Sequence, residues 1–319
     1  MKSLSGWVAA LVLAGGLPSL VARADDPQPT PAAKPKSDVT AALDRVGGSL
    51  APAFTLAYKF AAGEEIRTKV VHLVTVETTI KGVNQTASTR SVSTKLWKIA
   101  RIEPTGNIVF EHSVEDVNMW QNVTGREETR YNSTTDRVPP PGHEHIAASL
   151  GKVLSVITMD RNGRILSRDD KQQQFNPGIG DLTVPFPAEP VKAGGTWSIP
   201  NEVRVSLEDG TVKKVATRQR YKLEKVEAGV ATISVETQVL TPVNDPKVQS
   251  QLVQRLQKGT IKFDIDAGRL IHKQMDLDES VYGFSGPESH MQYLARFTEE
   301  PVTAAAATAK TEKPGETTK

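Results

Sequence analysis

The 319-residue sequence contains no cysteine. A disulfide framework and thiol-based nucleophilic chemistry are therefore excluded, and stability must come from an apolar core. No GxSxG elbow is present, and no glycine-rich phosphate loop with its lysine. The HExxH spacing of zinc hydrolases is also missing. Charge of one sign is lacking too. The formal net charge is +2, and loss of Lys2 and Arg23 with an N-terminal signal would leave 2 − 2 = 0. Acidic and basic residues are interspersed, as on solvated faces, so no nucleic-acid partner is expected.

Long hydrophobic runs are confined to the N-terminus. Residues 1–24 read as a secretory signal: Lys2, an apolar run from Trp7 to Val21, and Ala22-Arg23-Ala24 as the cleavage site. That run is shorter than the ~20 residues a spanning helix needs, and Gly15, Gly16 and Pro18 interrupt it. The expected location is therefore outside the cytoplasm, periplasmic or secreted, with no transmembrane segment after cleavage. Residues 25–52 are rich in Pro, Ala and Lys, and residues 300–319 in Ala, Thr, Lys and Glu. Neither can bury enough apolar surface to order itself.

Between these ends the dominant period is two. Ile66, Val70, Val74, Val76 and Ile80 alternate with Arg67, Lys69 and Glu77, and Ala231, Ile233, Val235 and Val239 alternate with Thr232, Ser234, Glu236 and Gln238. This is the pattern of antiparallel strands with one buried and one wet face. Two helices are predicted. The first runs from His143 to Leu150 ahead of Gly151. The second is capped by Asn244 or Asp245, with Pro246 in its first turn, a stripe of Val248, Leu252, Val253 and Leu256, and Gly259 as its left-handed stop.

Landmarks of the first half recur in the second in the same order. Gly63-Glu64-Glu65 corresponds to Gly194-Gly195-Thr196-Trp197, and the Lys81-Gly82 turn to Glu208-Asp209-Gly210. Each half ends in an Asp…Gly-Arg hairpin, Asp160 to Arg164 and Asp266 to Arg269. The expected fold is mainly β (α+β): two tandem curved antiparallel sheet units, 53–170 and 171–299, half-barrel-like, each with one helix.

Candidate sites are few. His143-Glu144-His145 is the one local cluster with metal-ligand residue types, but on a helix His143 and His145 diverge by about 200°. A structural role is favoured, and no metal or cofactor is expected. Asp160 and Asp266 fit turns, where an Asp side chain bonds the backbone two residues on. The stretch from Asn118 to Gly142 is the main excess of the first half. It carries Trp120, Arg126 and Tyr131 and reads either as a binding loop or as a hairpin shielding a sheet edge.

The pattern Tyr58-Lys59-Phe60 … Gly63-Glu64 … Arg67, followed by Val184-Pro185-Phe186-Pro187 … Pro190-Val191 … Gly194 … Trp197, resembles a family of uncharacterised exported bacterial proteins of planctomycete type. The resemblance spans about Leu56 to Glu299 and implies an exported β-rich domain of unknown function, with no site residue to carry over. The expected role is non-enzymatic: an apolar or lipid-like ligand held in the concavity of the sheet. An envelope structural or interaction protein is the second expectation, and a hydrolase with carboxylates assembled by folding is the third.

Overall fold

The computed structural model describes residues 52–172, 182–207 and 210–302. The predicted signal, the leader up to residue 51, the tail from 303 and two residues of the Glu208-Asp209-Gly210 turn lie outside the described residues. The rest is mainly β, with two short helices and no closed barrel.

In chain order the elements are β1 (Ala53–Phe54), β2 (Glu65–Ile80), β3 (Val83–Ile102), β4 (Ile108–Val123), β5 (Thr129–Asn132), α1 (Glu144–Ser149), β6 (Val153–Met159) and β7 (Ile165–Asp170). They continue as β8 (Val191–Lys192), β9 (Thr196–Ser206), β10 (Val212–Glu227), β11 (Val230–Val239), α2 (Pro246–Leu252), β12 (Lys258–Asp264), β13 (Arg269–Tyr282) and β14 (His290–Pro301).

One open twelve-stranded sheet runs in the order β7-β6-β4-β3-β2-β14-β13-β12-β11-β10-β9, with β5 paired alongside β4. Sequential hairpins make most of it. The join between the halves is the antiparallel pairing of β14 with β2, from His290 opposite Thr79 to Pro301 opposite Thr68. The last long strand and the first therefore lie side by side in the middle of the sheet. Its two edges, β7 and β9, are separated in chain order only by β8, which pairs with β1 in a separate two-stranded sheet.

Both halves contribute to one core. Ile99, Phe110 and Ile157 of the first half cluster with Leu223, Ile233 and Phe263 of the second. Leu56, Tyr58, Val184 and Phe186, all from segments outside the main sheet, belong to the same cluster. The Phe186 and Phe263 rings lie 4.5 Å apart, and Tyr58 meets Phe263 edge-on at 5.4 Å. Smaller clusters sit under the helices: Ile146 with Val114, Val117, Tyr131 and Leu154, and Val248 and Leu252 with Val205 and Val215.

The turns show why the motif residues matter. The Tyr58 N–H donates to the Arg161 carbonyl at 2.8 Å, and the Lys59 N–H donates to the Gly268 carbonyl at 3.3 Å. The two Asp…Gly-Arg hairpins thus grip residues 58–59 from both sides. The Val184 N–H donates to the Tyr58 hydroxyl (2.9 Å), and the Trp197 indole N–H donates to the Pro185 carbonyl (2.8 Å). The Asn162 amide bridges the Leu56 and Pro187 carbonyls. Arg269 closes the arrangement, bonding both Glu64 oxygens at 2.6 and 2.8 Å with its guanidinium over the Phe60 ring.

Two local expectations are corrected. Gly259 is not a left-handed stop. The helix ends at Leu252 and passes through a 3-10 turn, Val253–Arg255, while Gly259 lies inside β12. A Cβ there would strike the Gln274 carbonyl and the Met275 backbone, so close strand approach is what requires glycine. In the second hairpin Asp264, not Asp266, accepts the turn bond, from the Ala267 N–H at 2.7 Å. Asp160 behaves as read, accepting from the Asn162 and Arg164 N–H groups. At the other end, Asp245 caps α2 through the Lys247 N–H at 2.9 Å.

Gly163 and Gly82 allow a matched comparison. Both have positive φ, but a Cβ at Gly163 would lie 2.5 Å from the Val184 carbonyl and 2.6 Å from the Tyr58 ring, whereas at Gly82 it meets nothing within 4 Å. Gly82→Ala should cost about 1–2 kcal/mol of backbone strain. Gly163→Ala should cost clearly more, because the 58 and 184 segments must also shift. Urea unfolding of the two variants checks this, and equal losses would contradict the clamp.

Candidate functional site

Two places have the character of a site, and they differ in opposite ways. The first lies inside the sheet. On the core-facing rows of β3 and β4, the alternation of apolar residues is interrupted by Lys95 and His112. Lys95 is 1% exposed, Lys273 on β13 3%, and Glu299 on β14 2%. Lys95 forms an ion pair with Glu299, and the Thr68 hydroxyl donates to the same carboxylate at 2.9 Å. Lys273 faces Glu299 across the β13–β14 register and sits 5.4 Å over the Phe297 ring.

Electrostatics follow from burial. Burial alone would push the Glu299 carboxyl up, but Lys95 and Lys273, with the hydrogen bonds from Lys95 and Thr68, hold it below its ordinary value. Burial pulls the Lys95 ammonium down, Glu299 opposes this, and Lys273 adds to it. His112 is pulled down to about 3 by burial first, then by the charges of Lys95 and Arg168. Both of its ring nitrogens, the Ser155 hydroxyl and the Trp97 indole nitrogen are buried without hydrogen-bond partners. Lys95 and Trp97 border a cavity of about 30 Å³ whose other walls include Tyr58, Phe60, Leu182 and Val184. That space is far below the ~300–1,000 Å³ of small-molecule sites. Among the described residues, this cavity on the core face is walled by the chain's own side chains.

The second place is a trough of about 1040 Å³ across β2, β14, β13, β12, β11 and β10. Its lining side chains flank core residues: Arg220 and Lys222 bracket buried Tyr221, and Ser234 and Glu236 bracket buried Val235. Strand alternation therefore puts the trough on the face opposite the core. Four basic residues (Arg220, Lys222, Lys258, Arg296) and four acidic ones (Glu236, Asp276, Asp278, Glu279) line it, with Leu73 and Leu294 between them. Arg296 pairs with Asp276 at 2.5 Å and Arg220 with Glu236 at 3.8 Å. Burial would raise the Asp276 carboxyl, but hydrogen bonds from Gln274 and Arg296 hold it low.

The residues singled out in the sequence do not converge. Tyr131 is buried with Ile146 in the cluster under α1. Trp120 pairs across strands with Arg130 on the β4–β5 hairpin, and Arg126 lies exposed at its turn. The stretch after Asn118 therefore folds back along the outer side of β4. His143 is buried 6.0 Å from the Tyr131 ring, while His145 is exposed, so the two share no side. Sequence reading missed Lys95, His112 and Glu299. Their one signal was phase, a charged or titratable residue on the apolar face of an alternating strand.

Residues 170–270 match the model of a family of unknown function (DUF6263). The match begins at the end of β7 and reaches the start of β13, so it covers Val184, Phe186 and Trp197. No curated protein matches the chain. Among solved structures the chain is similar to lipovitellin, from a study of its lipid–protein interactions (10% identity, TM-score 0.43), over 77% of this chain and 26% of that one. It therefore spans about a quarter of that protein. It is also similar to DynF of the dynemicin biosynthesis pathway of Micromonospora chersina (6% identity, TM-score 0.21, covering 81% and 89%). A third is the Salmonella type III secretion secretin InvG in its open-gate state (7%, 0.17, covering 77% and 64%). The three scores are low.

The His112 environment generates a pH prediction. The folded value lies below the unfolded one, so the unfolded chain binds an extra proton between about pH 6.5 and pH 3. Stability should be full above that window and fall as pH drops through it, by up to roughly 4–5 kcal/mol over the whole span. The depressed Glu299 carboxyl adds a loss in the same direction at the acid end. In His112→Phe, urea unfolding between about pH 7 and pH 4 should show a flatter decline. An unchanged slope would show that His112 is not the group responsible.

Proposed function

We infer that the protein is an exported, non-enzymatic binding protein of the cell envelope. Its filled interior acts as scaffold, and its partner lies in the trough on the solvent face. The observation that carries this reading is the trough itself. It is a ligand-sized space, its base is the ordered backbone of six hydrogen-bonded strands, and its charges are balanced in sign. Charges balanced in sign, two pairs of them joined across the trough, favour a partner that is polar and of low net charge, and disfavour a polyanion. Leu73 and Leu294 add a small apolar contact in the same space. A lipid-like ligand fits this reading as an amphiphile lying in the trough.

Export rests on the N-terminal signal pattern, and the non-enzymatic reading on the missing motifs. Among the described residues no helix is long and apolar enough to cross a membrane.

Native mass spectrometry of the chain purified from its own envelope tests the proposal. The wild type should carry a bound partner, by an added mass or by cross-linking. Arg220→Glu with Lys258→Glu should reduce occupancy at least about tenfold, the scale of a 1.4 kcal/mol loss, with little change in thermal midpoint. A partner held equally well by the variant would place binding elsewhere.

A further inference from the structure

The solvent face of β13 carries an aromatic side chain that packing does not explain. The pairing of β13 with β14 runs without a register break from Lys273 to Tyr282. Alternation therefore puts Asp276, Asp278, Ser280 and Tyr282 on one face, with Val281 buried on the other. Tyr282 thus stands on the face of the trough, roughly 14 Å along the strand from Asp278. It is 69% exposed, the one aromatic among the large exposed hydrophobic side chains of the described residues. Its ring is nevertheless held in place. It stacks on His290, with centroids 4.5 Å apart and planes inclined by 23°. A ring fixed in this way loses little freedom when a ligand stacks on it.

The groups leading to it form hydrogen bonds readily. Thr75, Ser234 and Thr260 bring hydroxyls to the trough, and the Gln292 amide donates to Asp278 at 3.1 Å. A carboxylate accepts about four hydrogen bonds, so Asp278 keeps capacity for hydroxyl donors beside that amide.

We propose that the trough and Tyr282 form one site for an uncharged oligosaccharide, a glycan strand of the envelope. Tyr282 stacks on the C–H face of one sugar, and Asp278 and Gln292 bond hydroxyls of its neighbours. The proposal rests on the trough being the binding site and names the class of its partner. An uncharged sugar chain agrees with a lining whose charges balance in sign. It also alternates hydroxyl edges with small apolar C–H faces. That suits two leucines set singly among polar groups, Leu73 opposite Arg296 and Leu294 opposite Asp278. The same interruption breaks up the continuous apolar surface that a lipid chain needs. An extended peptide has no strand edge to join, because all six strands of the floor are paired on both sides.

The test uses the full chain. Isothermal titration with cellohexaose and with chitohexaose should show saturable binding of at least one. Tyr282→Ala should weaken that binding about tenfold or more, the scale of an aromatic anchor. Tyr282→Phe keeps the ring and should bind as the wild type does. The thermal midpoint should hold in both variants, since the side chain is exposed. Saturation-transfer NMR on the wild type keeps the test open if a variant fails to fold: irradiated aromatic protons should pass saturation to sugar ring protons. No binding of either sugar, equal affinity in Tyr282→Ala, or no transfer would each overturn the proposal. Binding of phosphatidylcholine vesicles with neither sugar bound would overturn it in favour of an amphiphile. A native partner that is not a sugar, yet is lost in Arg220→Glu with Lys258→Glu, would leave the trough as the site and remove only the sugar assignment.

Discussion

The structure depends on one constraint: a large open sheet has to bury one whole face, and here it does so against its own chain. Residues 56–60 and 182–187 enter between the two curled halves, and the pairing of the Val184 N–H with the Tyr58 hydroxyl ties one segment to the other. Without this insertion Ile99, Phe110 and Ile157 would have no layer between them and Leu223, Ile233 and Phe263. A buried apolar face that finds no partner is the main destabilising risk of any sheet protein. The hydrogen bonds in this region act chiefly by satisfying backbone groups that would otherwise be buried unpaired.

That constraint accounts for the sheet order. The N-terminal segment reaches the core and then begins β2, and β14 returns to pair beside it, so the ends of the folded chain meet in the centre of the sheet. The edge strands β7 and β9 lie at opposite ends although they are close in sequence, and the connection between them supplies Val184 and Phe186 to the core. The inner face is taken up by packing and by one buried charged cluster, and the trough lies on the other face, where alternation puts polar side chains.

Much of this was legible locally. Period-two alternation marks β2 and β11 because each strand has one dry and one wet face, and the Lys81-Gly82 turn is recognisable because both residues adopt positive φ. Asp245 as a helix cap is equally a local matter. Gly259 misled because a glycine after a helical stripe has the form of a stop, whereas its true constraint is the backbone of β13, which sequence spacing does not show. The Lys95–Glu299 pair joins strands from distant parts of the chain, and only the β14–β2–β3 neighbourhood brings them together. The trough is assembled from six strands that each look ordinary alone.

The central claim is that residues 56–60 and 182–187 pack as an inner layer against the core face of the sheet. Amide hydrogen exchange at Tyr58 and Val184, with and without envelope lipid, tests it most directly. Both amides are hydrogen-bonded, Tyr58 to Arg161 and Val184 to the Tyr58 hydroxyl. The account predicts slow exchange near the global unfolding limit, unchanged by lipid. Fast exchange, or deprotection of both amides when lipid is added, would mean that the segments leave and a ligand takes their place.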